Sequence, residues 1–173
     1  MTIHSEHPFE PPESERDPVR RLRGRLGGTV SLWTAGSLER RAGWPVSSVL
    51  VAAGEPAHVM GLLDPDCELF AVMARTGTAV VQLLEWEHRT LADAFAGLFP
   101  APGGPFRLHD WTDTPWGPRL TTASSWAGVR LVEAEAREVG WSQLVDAVIE
   151  EVQIGAETAP LVHRRGRYLK PPG

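Results

Sequence analysis

Residues 28–53 read GTVSLWTAGSLERRAGWPVSSVLVAA, and the fold is decided in this stretch. Thr29 to Thr34 alternates, with Val30 and Leu32 on one side and Thr29, Ser31 and Trp33 on the other, the period-two pattern of a half-buried strand. Gly36-Ser37-Leu38-Glu39-Arg40-Arg41 breaks the alternation with glycine and charge and reads as a connecting loop. A second strand begins inside Pro45-Val46-Ser47-Ser48 and continues from Val49 to Ala53. Ser47 and Ser48 thus stand side by side where a loop enters a strand. Hydroxyls and free backbone N–H groups in such a place donate to phosphate oxygens, and small side chains permit close approach. Paired serines at a strand start are equally ordinary turn chemistry, so the pattern alone leaves both readings open.

Upstream, residues 1–17 hold Pro8, Pro11 and Pro12 among four glutamates without periodicity, as expected of a mobile arm. From Pro18 to Leu26, Val19, Leu22 and Leu26 recur at spacings of three and four among arginines. That is a short amphipathic helix, with Pro18 in its first turn and Gly27-Gly28 as its stop. Downstream, Ala57 to Leu63 is nearly all apolar and is expected as a strand buried on both faces. Leu69, Val72, Met73 and Thr76 predict a helix that ends at Gly77, and Thr78 to Leu84 a further strand. Leu91, Ala94, Phe95 and Leu98 repeat the helical spacing up to Phe99-Pro100. Ala101 to Pro118 reads as a loop, long enough to serve a function or to cover something. Strands are expected over 119–122, 126–137 and 144–154, with Gly140-Trp141-Ser142 as the last turn, followed by a closing segment from Pro160 to Tyr168. Many strands, short helices and frequent turns predict a mainly β domain over residues 18–173, an antiparallel barrel with helical additions.

The 173 residues suit a single domain with its own core, and 42% hydrophobic with 23% charged residues is ordinary for a globular protein. No apolar run is long enough to span a bilayer and no signal-peptide core opens the chain, so a cytoplasmic setting is expected, with no membrane partner. Net charge of −5 argues against general nucleic-acid binding. Basic runs nevertheless occur near both ends, at Arg20, Arg21, Arg23 and Arg25 and at Arg164, Arg165, Arg167 and Lys170; an anionic cofactor could use either. The single cysteine, Cys67, rules out an internal disulfide framework. None of the six histidines stands in metal-ligand spacing, so no metal site is expected; His58 reads as a core residue in an apolar strand. Among seven tryptophans, Trp44, Trp111 and Trp116 fall in expected loops, where an aromatic face can stack on a ring or simply pack. No G-x-G-x-x-G follows a strand and no G-x-S-x-G is present, which argues against a Rossmann site and a nucleophile elbow.

Several short motifs recur in one order: Val30 to Thr34, Gly43 with Ser47-Ser48-Val49, Pro56 with Val59, Leu91-Ala92 with Phe95-Ala96, and Pro160-Leu161-Val162 with Gly166 and Tyr168. In this order, from about Arg20 to Tyr168, the chain resembles the flavin reductase-like family of FMN-binding split barrels. The resemblance implies an antiparallel split β-barrel that binds FMN, or FAD, without a covalent bond at a homodimer interface. It implies reduction of the flavin by NADH or NADPH and delivery of reduced flavin to a monooxygenase. Carried over by position, Trp44, Pro45, Val46, Ser47 and Ser48 would contact flavin, and Thr34 would flank the ring. The Asp64 to Cys67 turn would lie near the phosphate and ribityl chain, and His163 near the active site.

This chain departs from the pattern at two places. The family's Ser-x-Thr pair after the third strand aligns with Cys67 and Leu69, which removes two hydroxyls. The family's Gly-Asp-His, whose His faces flavin and nicotinamide, is here Gly140-Trp141-Ser142. The loss of that His keeps two further readings open: a flavin-binding module without efficient turnover, and a deazaflavin-linked reductase.

Overall fold

In the computed structural model, which describes residues 17–132 and 137–172, the chain is mainly antiparallel β-sheet. Helix α1 (Pro18–Leu26) leads into strands β1 (Gly28–Thr29), β2 (Ser31–Ser37), β3 (Arg40–Val46), β4 (Val49–Ala52) and β5 (His58–Leu63). Helix α2 (Glu68–Thr76), strand β6 (Thr78–Leu83) and helix α3 (Arg89–Phe95) follow, the last entered through a 3-10 turn at Trp86–His88. A second 3-10 turn, Pro105–Leu108, precedes the hairpin of β7 (Trp111–Thr114) and β8 (Gly117–Leu120). Strands β9 (Trp126–Leu131), β10 (Arg137–Val139), β11 (Ser142–Gln153), β12 (Val162–Arg164) and β13 (Arg167–Leu169) complete the fold. Apart from Asp17, the arm expected over 1–17 lies outside the described residues, as do residues 133–136 of the strand expected over 126–137.

The main sheet runs β3-β2-β6-β9-β11-β5-β4, with β10 beside β11. Its two edges, β3 and β4, are consecutive in sequence, and Ser47-Ser48 is all that joins them. The sheet therefore curls into a barrel that stays split along one seam, as the sequence predicts. A smaller sheet, β1-β12-β13, ties the beginning of the chain to its end through Gly28↔His163 and Thr29↔Val162.

Inside the curl, Trp33, Val59, Leu63, Val129 and Val145 pack against Leu69, Val72 and Met73 of α2. That helix ends as expected at Gly77, which is left-handed at φ 73 and donates its N–H to Met73 O at 2.8 Å. A second cluster on the outer side of β2 joins Val30 and Leu32 to Leu84, Leu91, Phe95, Leu120 and Leu161. Strand β2 is consequently buried on both faces, not half-buried as its alternation suggests, because α3 and β8 cover its outer side. Strand β5 departs in the other direction. Val59 and Leu63 face the core, whereas Leu62 on the outer face is exposed.

The loop expected over Gly36 to Arg41 is mostly strand, with a turn of only Leu38-Glu39. Arg41 is tolerated there because its guanidinium lies 4.3 Å from the Phe106 ring centroid. Gly36 is required: at φ 91 a Cβ would stand 2.1 Å from Arg40 O. Two buried polar side chains stitch the outer layer to the sheet. Thr34 Oγ1 donates to Pro118 O at 2.5 Å and accepts from Gln82 Nε2 at 2.9 Å, while Gln82 Oε1 accepts from Leu120 N–H at 2.6 Å.

Candidate flavin groove

A groove of about 950 Å³ opens along the seam, within the range of small-molecule sites. Its base is the outer face of the main sheet. Leu50 of β4 pairs with Met60 of β5, and Leu144 of β11 pairs with Leu62, so period-two alternation sends all four side chains to the same side. Pro45, Val46, Ser47 and Ser48 form the seam itself. Ser48 O accepts from Leu62 N–H at 3.1 Å, which fixes the serine pair against β5. Gly61 lies flat on the Trp33 indole, where a Cβ would come within 2.9 Å of Cζ2.

The third wall comes from both ends of the chain. Arg20, Arg21 and Arg23 of α1 line it together with His163, Arg165 and Gly166 of the β12–β13 hairpin. Arg165 and Gly166 both take positive φ, 52 and 77, the geometry of a tight two-residue hairpin turn. That turn directs Arg165 N–H to Gly24 O at 2.8 Å, and Arg164 Nε donates to Arg25 O at 3.2 Å, docking α1 against the hairpin. No carboxylate lines the groove among the described residues. Arg21 Nε is buried there without a hydrogen-bond partner among them. An unsatisfied buried guanidinium N–H is costly unless an acceptor arrives. A phosphate beside Ser47 and Ser48 would supply one, so the residues present fit the phosphate of a flavin.

His163 is held edge-on to Tyr168, with ring centroids 5.6 Å apart, and Tyr168 Oη donates to Asp93 Oδ1 of α3 at 2.7 Å. Burial lowers the His163 imidazole below its ordinary value; nearby Asp93 opposes this shift and Arg23 adds to it. Burial, together with the hydrogen bond to Asp93, holds the Tyr168 phenol well above the usual range.

Of the positions carried over from the family, Pro45, Val46, Ser47, Ser48 and His163 meet in this groove, and four do not. Thr34 is fully buried, with its hydroxyl committed to Pro118 and Gln82, and cannot flank a ring in the groove. Trp44, expected in a loop, lies within β3 and packs against the inner core. Asp64 accepts from Asp66 N–H at 2.9 Å in the β5–α2 turn. Cys67 is buried at the start of α2, and burial pushes its thiol up, toward the unreactive form. Gly140-Trp141-Ser142 also stays outside the groove, with Trp141 95% exposed. The α1 arginines are the principal addition to the expected site, and the basic run near the start of the chain was their signal. Among the described residues no metal-binding cluster occurs, and no helix is long and apolar enough to cross a membrane.

A family profile described as flavin reductase like domain matches residues 23–171. The chain is 26% identical over 153 residues to the 4-hydroxyphenylacetate 3-monooxygenase reductase component of Pseudomonas aeruginosa, covering 87% of this chain and 89% of that protein. It is 27% identical over 100 residues to an FMN reductase (NADH) of Serratia proteamaculans, covering 58% of this chain and 57% of that one. Among solved structures, the NADH:FAD oxidoreductase of Streptomyces globisporus C-1027, in complex with NAD and FAD fragments, superposes with a TM-score of 0.79. At 16% identity, with 93% of this chain and 95% of that one covered, this match establishes a common fold.

Proposed function

Because the chain belongs to the flavin reductase like family, we propose that it is an NAD(P)H:flavin reductase that binds flavin in the seam groove and supplies reduced flavin to a monooxygenase. The observation that carries this reading is the groove itself: paired serines at the seam, an apolar base and an arginine wall with no carboxylate among the described residues. The relative from Pseudomonas aeruginosa is named as the reductase component of a monooxygenase, which supports the delivery role. Flavin supplies the redox chemistry, accepting hydride from the nicotinamide. The protein holds and orients. Ser47, Ser48 and Arg21 would take the phosphate, and Leu50, Met60, Leu62 and Leu144 would exclude water from one side of the ring.

His163 stands at the groove wall, where the missing Gly-Asp-His histidine cannot act, and its lowered pKa keeps it neutral near pH 7. In that state its ring can donate or accept a hydrogen bond without adding charge. Residues 18–173 would act as one domain, in the cytoplasm, and as a homodimer. Support for the dimer is the stripe of Val19, Leu22 and Leu26 on α1, exposed by 71, 62 and 77%, with Leu50 at the groove edge exposed by 68%.

The test is anaerobic: purified protein with FMN or FAD, mixed with NADH or NADPH, should bleach the visible flavin band at roughly 1–10³ per second. Binding without bleaching would leave a flavin-binding module; absence of binding would end the reading. Ser47→Ala with Ser48→Ala should weaken flavin binding by about tenfold to a hundredfold for each lost phosphate bond.

A further inference from the structure

Away from the seam, the outer face of the main sheet carries a polar pair that the serines and arginines leave unused. His58, which reads from sequence as a core residue, lies on this outer face with its side chain 32% exposed. Register fixes its place. Val59 and Leu63 face the core, so His58, Met60 and Leu62 line up on the outer side of β5, with Leu62 beside Ser48. At about 3.4 Å per residue, His58 stands roughly 14 Å along the strand from Leu62. On β11, Val145 and Ala147 are buried, which turns Asp146 outward beside the groove-lining Met60. From there Asp146 Oδ1 meets His58 Nδ1 at 2.7 Å. Arg130, on the same face of β9, is held by Glu150 Oε1 at 2.6 Å and leaves Asp146 to the imidazole. A carboxylate only accepts, so Nδ1 carries the proton and the lone pair of neutral His58 stands on Nε2. Nε2 has no hydrogen-bond partner among the described residues. Its neighbour on β4 is Ala52, which adds only a methyl group beside it.

We propose that His58 is a contact of the flavin ring, its Nε2 accepting from the N3–H of the pyrimidine edge, and that Asp146 is the positioning residue that holds the imidazole in the tautomer able to do so. The proposal rests on the flavin reading above. A flavin with its phosphate at Ser47 and Ser48 and its ring on Leu62, Met60 and Leu50 extends along β5 toward His58. The ring system is apolar at its dimethylbenzene end and polar at its pyrimidine end, where N3 carries the one N–H of the oxidised ring. The base beneath that path is apolar until it reaches the His58–Asp146 pair. One acceptor at the end of an apolar floor thus answers the one donor of the ring, and pairing them spares both from being covered without a partner.

The test is equilibrium titration followed by flavin fluorescence, with FMN and FAD as probes, each beside its N3-methyl derivative. The wild type should bind the unmethylated flavin about threefold to tenfold tighter, the range of one hydrogen bond. His58→Ala should bind both members of a pair alike, by losing affinity for the unmethylated flavin alone. Asp146→Ala keeps the imidazole but frees its tautomer. It should shrink the preference and move the nitrogen NMR resonances of His58 away from the Nδ1–H form. Equal wild-type affinity for both members of each pair overturns the contact and requires no variant to fold. A preference of unchanged size in His58→Ala overturns it as well. A full preference kept in Asp146→Ala overturns the positioning role. Failure of FMN and FAD both to bind would instead overturn the flavin reading.

Discussion

Thr34 carries a structural role that its position in the family pattern does not suggest. Its hydroxyl donates to Pro118 O and accepts from Gln82, with no exposure to solvent. Thr34→Val keeps the shape and strands two buried partners, so it should lower unfolding stability by about 1–3 kcal/mol in urea while leaving flavin affinity unchanged. His88 is a second such residue. Glu85 N–H donates to its Nδ1 at 3.0 Å, so Nδ1 is the acceptor and Nε2 carries the proton toward Thr122 Oγ1 at 2.9 Å. Protonation would turn Nδ1 against that N–H, and burial accordingly lowers the pKa from its ordinary 6.5. Between 6.5 and the lower folded-state value, the unfolded chain binds the extra proton and the folded one does not. Stability is therefore complete above that window and falls as the pH drops through it; His163, lowered likewise, adds in the same direction. Melting temperatures measured from pH 7.5 down to 5 should decline, and His88→Gln should flatten the slope without removing it. Neither role could be read from single letters. A threonine in an alternating strand and a histidine before a helix declare their partners only when β8 and the 122 region fold over them.

At the scale of elements, periodicity was a good guide wherever one face met the core. The spacing of Leu69, Val72, Met73 and Thr76 located α2 up to its glycine stop, and Pro18 with Gly27 bracketed α1. Periodicity misled where a second layer intervened. Strand β2 needed the α3 cluster to bury its outer side, and β3 began at two arginines that read as loop because the Phe106 ring lies distant in sequence. The groove was half legible in the same way: the serine pair stood in one strand entrance, whereas its arginine wall required α1 to dock on β12. Strand β5 offers a test of how tightly the seam is packed. Gly61→Ala would press a methyl to within 2.9 Å of Trp33 Cζ2 and should cost about 1–3 kcal/mol of stability by overpacking. Because Gly61 also lines the groove, a displaced β5 should weaken flavin binding as well. An unperturbed denaturation midpoint would show that the indole can yield.

For the whole molecule, the unburied side of α1 is the largest departure from an amphipathic helix's usual fate. Fully burying a leucine is worth about 1.5–3 kcal/mol, so covering Leu22 and Leu26 would favour association of two copies through this face. Light scattering at micromolar concentration should report a dimer, and Leu22→Glu with Leu26→Glu should shift the mass toward a monomer. A monomeric wild type would mean that the stripe serves some other contact.

The order of synthesis adds a constraint of its own. The main sheet has its last strand when Gln153 leaves the ribosome, but the small sheet waits for residues 162–169. Domains condense as their sequence emerges, at about 5–20 residues per second, so the serine seam is laid down early and stands without its opposite wall. Helix α1 precedes the main sheet in the chain, and its hairpin partner follows that sheet. A nascent chain can therefore bury much of its core while the groove still lacks the wall that the β12–β13 hairpin builds with α1.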